Sequence, residues 1–173
     1  MNLDTVKSAL VPRRDHAGKY LTFRLGSESY GIAVLKIREI IRWTDITSVP
    51  QAPQHVRGVI NLRGKIIPVL DLSLQFGLEA SSAGERACIV VVQVSSASGT
   101  QVQVGLVVDA VEEVVCIPAT DIEDAPDFGC SLDTHYLLGL AKIKGTVKIL
   151  LDIERIVAAD TFELIAQNPL PTP

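Results

Sequence analysis

Arg57-Gly58-Val59-Ile60-Asn61-Leu62-Arg63-Gly64-Lys65-Ile66-Ile67-Pro68-Val69-Leu70-Asp71-Leu72 decides how this chain folds. Two aliphatic, β-branched runs, 59–62 and 66–70, flank Arg63-Gly64-Lys65. β-Branched side chains pack well on a pleated surface, so both runs read as strands. Gly64 takes a positive φ without steric penalty, which suits a tight turn between antiparallel strands. Arg63 and Lys65 put two cations at the tip. Charged turn residues either keep a turn soluble or recognise a partner from a rigid scaffold. Both readings are open at this point.

The stretch recurs as Gly139-Leu140-Ala141-Lys142-Ile143-Lys144-Gly145-Thr146-Val147-Lys148-Ile149-Leu150-Leu151-Asp152-Ile153. Gly58 matches Gly139, Gly64 matches Gly145 and Asp71 matches Asp152, always 81 positions on. Upstream, Gly31-Ile32-Ala33-Val34-Leu35-Lys36-Ile37-Arg38-Glu39-Ile40 resembles Gly105-Leu106-Val107-Val108-Asp109-Ala110-Val111-Glu112-Glu113-Val114 at a spacing of 74. The motifs keep their order, so the chain reads as two copies of one β unit with loops of different length. Two copies are too few for a solenoid; a pseudo-symmetric pair of small barrels or sheets fits.

Outward from these motifs, 20–25 alternates as a strand, 26–29 turns, and 30–34 returns. Residues 36–43 are ambiguous between helix and strand, and their β-branched content favours strand. Prolines 50 and 53 break regular structure. Asp71 can cap a helical turn over 72–76 that Gly77 ends. The polar stretch 79–86 is the expected boundary between halves, giving a first barrel at about 19–78 and a second at about 87–151. Strands follow at 88–94, 102–108, 111–117, 137–143 and 146–151, with a loop at 118–134. A C-terminal helix starts at Asp152, and Asp160 with Glu163 resembles a further helix start. A flexible tail is expected at 1–18, and residues 158–173 are expected to be a C-terminal helix extension followed by a disordered tail at 168–173. About ten short strands with turn signals and one substantial helix argue for a mostly β fold of small barrels or sandwiches.

Composition excludes several classes. Hydrophobic residues are 47% and charged residues 21% of 173, so one domain or two small ones can bury a core. A net charge of −4 gives no reason to expect nucleic acid or an anionic membrane. No apolar run reaches the roughly 18 residues of a membrane helix. The N-terminal stretch lacks the apolar core of a secretory signal, so a cytoplasmic location is expected. Cys88, Cys116 and Cys130 are odd in number and widely spaced, which is neither a disulfide framework nor a metal site.

Chemistry-bearing patterns are weak. His16, His55 and His135 stand apart from other ligand-type residues. Phosphate-loop, dinucleotide and Gly-x-Ser-x-Gly signatures are missing. The acids Asp121, Glu123, Asp124 and Asp127 are interrupted by Pro126, and position 132 is Leu132 where a calcium loop needs glutamate. Asp71 and Asp152 hold equivalent places and could form an acid/base pair, but helix capping accounts for both. The expectation is a protein that binds and does not catalyse, with no cofactor.

These residues resemble the CheW family of chemotaxis coupling proteins. The resemblance rests on Leu25-Gly26, Tyr30-Gly31-Ile32, Lys36-Ile37-Arg38-Glu39-Ile40, and the 57–64 and 67–72 segments. It continues through Val104-Gly105-Leu106-Val107-Val108-Asp109-Ala110-Val111 and Tyr136-Leu137-Leu138-Gly139-Leu140. It covers about 20–157. It implies two five-stranded SH3-like barrels with a C-terminal helix, and adaptor work without catalysis. The implied partners are the regulatory domain of a CheA-type histidine kinase and the cytoplasmic tip of a methyl-accepting chemoreceptor. Ring assembly with the kinase or with other copies, and recruitment to membrane-associated receptor arrays, come with the resemblance. The same resemblance puts the receptor tip in a groove at Ile37, Glu39, Gly58, Arg63, Ile89 and Gly105. There Ile37 and Ile89 would give apolar contact or simply pack the core. Arg63 would pair with receptor carboxylates or hold the groove in shape, and the glycines would admit close backbone approach. A non-flagellar pathway, through pilus motility or second-messenger signalling, is the alternative. An enzyme on small barrels is the remote one.

Overall fold

The computed structural model describes residues 16–79, 84–95, 99–124 and 136–158. The first half runs β1 (Gly18–Leu25), β2 (Glu28–Ala33), a 3₁₀ turn (Val34–Lys36), β3 (Ile37–Arg42), β4 (Val56–Leu62), β5 (Lys65–Asp71) and a short helix α1 (Leu72–Gln75). The second runs β6 (Cys88–Ser95), β7 (Gln101–Val108), β8 (Ala110–Ile117), a 3₁₀ turn (Ala119–Asp121), β9 (Ile122–Glu123), β10 (Leu137–Ile143), β11 (Thr146–Leu151) and α2 (Ile153–Ala158). The strand expected from residue 36 onward is β3, preceded by a 3₁₀ turn. The expected loop from 118 begins with a 3₁₀ turn and β9. Cys130, Asp127, His135, the helix start at Asp160 and most of both tails lie outside the described residues.

The repeat is real in three dimensions, but the expected division at 79–86 does not separate the barrels. One sheet has the order β8-β1-β2-β11-β10-β9 and the other β3-β6-β7-β5-β4. Each half therefore lends its first hairpin to the sheet built by the other. The parallel joins are equivalent too: Gly31 faces Leu150 where β2 meets β11, and Gly105 faces Val69 where β7 meets β5. Connection length explains the exchange. Only Asp109 separates β7 from β8, and three residues separate β2 from β3. If β8 stayed beside β6, it would lie two strands from β7 and run parallel to it. Such a parallel crossover takes a dozen or more residues. A short link can only carry the chain straight into the other sheet. A chain ending at residue 79 should thus be unfolded alone and gain native circular dichroism when co-expressed with 84–173. A cooperative melt of 1–79 alone would sink this reading.

Burial follows from the exchange. On β6, Ile89 and Val91 point into one cluster with Ile60, Ile67, Val69 and Val107. Val90, Val92 and Val94 point the other way, into a central cluster with Phe23, Ile32, Leu70, Leu106 and Val157. Both faces of β6 are covered, so its sequence is a continuous aliphatic run rather than an alternating one. The central cluster lies between the barrels, and a third cluster of Tyr20, Ile117, Ala141 and Leu150 fills the other one. Phe23, Tyr30 and Phe76 stack in turn, with centroids 6.1 and 5.7 Å apart, and burial raises the Tyr30 hydroxyl above its usual pKa. The barrels differ inside. Lys148 is buried on β11, donating to Ser29 Oγ at 2.9 Å and lying 3.6 Å from Glu112, whereas the matching place on β5 holds Ile67.

Candidate functional site

Arg63 sits at the tip of the β4–β5 hairpin with φ 52°, followed by Gly64 at φ 84°. Two successive positive φ values are those of the I′ turn that matches the twist of a hairpin. Asn61 Oδ1 accepts from Gly64 N at 2.8 Å and locks the turn. The second hairpin repeats it with Lys144 at φ 52° and Gly145 at φ 79°. The left-handed residue of each tip that carries a side chain is thus a cation, Arg63 or Lys144, although a side chain makes that conformation costly.

Glu39 comes to Arg63 from β3. A register shift between Ile37 and Glu39 leaves Arg38 as the extra residue of a bulge. Bulges re-aim side chains: Arg38 donates to Gln93 Oε1, and Glu39 turns toward the hairpin tip. There Arg63 Nη1 and Nη2 donate to Glu39 Oε1 and Oε2 at 2.7 and 2.8 Å. This is the bidentate geometry that guanidinium and carboxylate share. The hydrogen bonds and the charge of Glu39 raise the Arg63 pKa further above its ordinary value. The arginine side chain is 75% exposed and the glutamate 25%, so the cation lies over the acid and keeps donors facing outward. β3 and β4 are opposite ends of one sheet order, so this pair also closes the barrel. Glu113 and Lys144, 3.5 Å apart, do the same for the other barrel.

The remaining expected site residues divide. Ile37 is half-buried on β3 against the central cluster. Ile89 is 0% exposed, so of its two readings, apolar contact or core packing, it takes the second and packs the barrel interior. Gly105 makes room for it, since a Cβ there would lie 2.8 Å from Ile89 Cγ2. Gly58 has φ 144°, and a Cβ there would come 2.0 Å from the Thr47 carbonyl oxygen. The close approach that each glycine allows is internal. Gly58 lets Thr47 bridge to Val59, with N···O distances of 2.9 and 2.8 Å, and Gly139 does the same for β9.

Two features escaped the sequence reading. Leu35 is 97% exposed and Ile40 44%, next to Glu39 along the chain. Arg57 lies 5.4 Å from the Trp43 ring centroid, with Nε 3.8 Å from the buried Asp71 carboxylate. Asp71 Oδ1 in turn accepts from Ser73 N and Leu74 N, the capping role expected of it. The pairing of Glu39 with Arg63 did leave a signal in the repeat: acids at 39 and 113 and cations at 63 and 144 recur together. Among the described residues, no group of three or more His, Cys, Asp or Glu side chains could hold a metal ion, and no helix is long and apolar enough to cross a membrane.

What the surface offers is a rigid, charged hairpin tip, with Leu35 and Ile40 exposed elsewhere along the β2–β3 segment. Residues 19–161 match the model of the CheW-like domain. The chemotaxis protein CheW of Klebsiella aerogenes is 36% identical over 147 residues, spanning 85% of this chain and 86% of that protein. The chemotaxis protein CheW of Rhizobium meliloti is 33% identical, spanning 86% and 97%. The crystal structure of the scaffolding protein TtCheW from Thermoanaerobacter tengcongensis superposes with a TM-score of 0.74 at 31% identity, covering 86% of this chain and 95% of that one. This chain belongs to the CheW-like domain family.

Proposed function

We propose that this chain is a non-catalytic adaptor of chemotaxis signalling that joins the cytoplasmic tips of chemoreceptors to the regulatory domain of a CheA-type histidine kinase. Chemotaxis scaffolding is supported by the names of the relatives and by the superposition on a scaffolding protein along almost its whole length. The observation that carries the finer reading is the Arg63–Glu39 pair, held on a barrel seam. A receptor tip would meet Ile37, Glu39 and Arg63 directly, while Gly58, Ile89 and Gly105 shape the surface from beneath. An adaptor needs separate surfaces of modest affinity, and array geometry then adds effective concentration. Membrane-associated receptor arrays are the place of work that this reading entails.

The test is a pull-down of the full chain with a CheA regulatory domain and with a receptor-tip fragment, each from the same organism. Capture of both in one complex is the expected result. Binding to neither would remove the adaptor reading and leave the fold without this job.

A further inference from the structure

We propose that the Lys36–Glu154 ion pair is the tie that fixes the corner leading into β3, and so positions Ile37 and Glu39 for a partner. The inference rests on the receptor-tip reading of that surface. The fold has two pseudo-equivalent corners where the chain passes between sheets, and they are secured differently. At the β7–β8 corner, Asp109 Oδ2 accepts from Gly26 N at 2.7 Å, and Asp109 N donates to Arg24 O at 3.0 Å. That corner is bonded into the β1–β2 turn. The matching position at the β2–β3 corner is Leu35, which is 97% exposed and has no carboxylate to do this.

The next residue supplies the tie. Lys36 Nζ lies 2.7 Å from Glu154 Oε1 in the first turn of α2. The 3₁₀ turn itself has no fully buried residue and no side-chain cap bond, and of its three residues Val34 packs against the central cluster. α2, by contrast, is a fixed post. Ile153, Ile156 and Val157 are buried in the central cluster, Asp152 Oδ1 accepts from Arg155 N at 3.3 Å, and Gln75 Nε2 donates to Ile156 O at 3.2 Å. Ile37 follows Lys36 directly, and Glu39 is two residues on. Lys36 is a positioning residue in this scheme: it sets where β3 begins, and the bulge after Ile37 then aims Glu39 at Arg63.

Both side chains are about two-fifths exposed (40% and 41%), so the tie is modest and screened by salt. Glu154→Lys should lower receptor-tip affinity about threefold, with the thermal midpoint almost unchanged. The exchanged pair Lys36→Glu with Glu154→Lys should recover the affinity. Amide ¹⁵N shifts of Ile37 and Glu39 in the full chain give a second readout that needs no receptor. They should move in Glu154→Lys and return in the exchanged pair. Unmoved amides, or failure of the exchanged pair to restore them, would overturn the tie. A weakened tip affinity in Lys36→Glu but not in Glu154→Lys would also overturn it, because Lys36 would then be touching the partner itself. If the wild-type chain binds no tip at all, the receptor reading fails, while the amide shifts still decide whether the tie exists.

Discussion

Gly58→Ala should lower the stability of this chain by about 3 kcal/mol in urea unfolding, at the large end for a single substitution. Two effects combine. The φ of 144° is strained for any residue with a Cβ, and that Cβ would sit 2.0 Å from Thr47 O. Thr47 is hydrogen-bonded in both directions to Val59, so it cannot retreat without breaking the bridge. Gly64→Ala is the control. Its φ of 84° is also left-handed, but among the described residues no atom lies within 4 Å of the added Cβ. It should lose about 1 kcal/mol. Equal losses at both positions would mean that backbone conformation alone matters, and that the contact with Thr47 gives way easily.

Arg63→Ala should reduce receptor-dependent kinase activation about tenfold, the scale of a hot-spot contact, while the urea midpoint hardly moves. The small effect on folding follows from exposure: an ion pair spread on the surface is well solvated either way. Arg63→Lys should not rescue activation, because an ammonium cannot make the two parallel bonds to Glu39. Glu39→Ala separates the two roles that the sequence left open. If Arg63 contacts receptor carboxylates itself, Arg63→Ala is worse than Glu39→Ala. If the pair only holds the seam in shape, either single variant matches the double. Wild-type activation in Arg63→Ala would remove this tip from the coupling surface.

Much of the fold was legible without coordinates. Strand content came from β-branched runs, the hairpin tips from Gly64 and Gly145, the caps from Asp71 and Asp152, and the duplication from constant spacing. These are local signals, because turn geometry and side-chain period act over a few residues. The candidate site was legible only in part. Glu39 and Arg63 were both named, yet their pairing depends on a bulge at Arg38 and on closure of a barrel, and neither is a local property. Ile89 was left between contact and core, and its run of neighbours could not say which face it takes when both faces are buried.

The sequence by itself thus determined the strands, the tips, the repeat and the family. The tertiary structure decided which half each hairpin completes, which glycines admit a crossing backbone, and which charges meet. The reason is that partner choice between strands is settled by links such as Asp109 and by two-sided burial of β6, where distant segments compete for the same neighbour. A link of only two residues, 109–110, stood in the sequence between two expected strands, and the structure shortens it to one. Its consequence appears only once strand order is known, because only then does a short link forbid the unexchanged sheet.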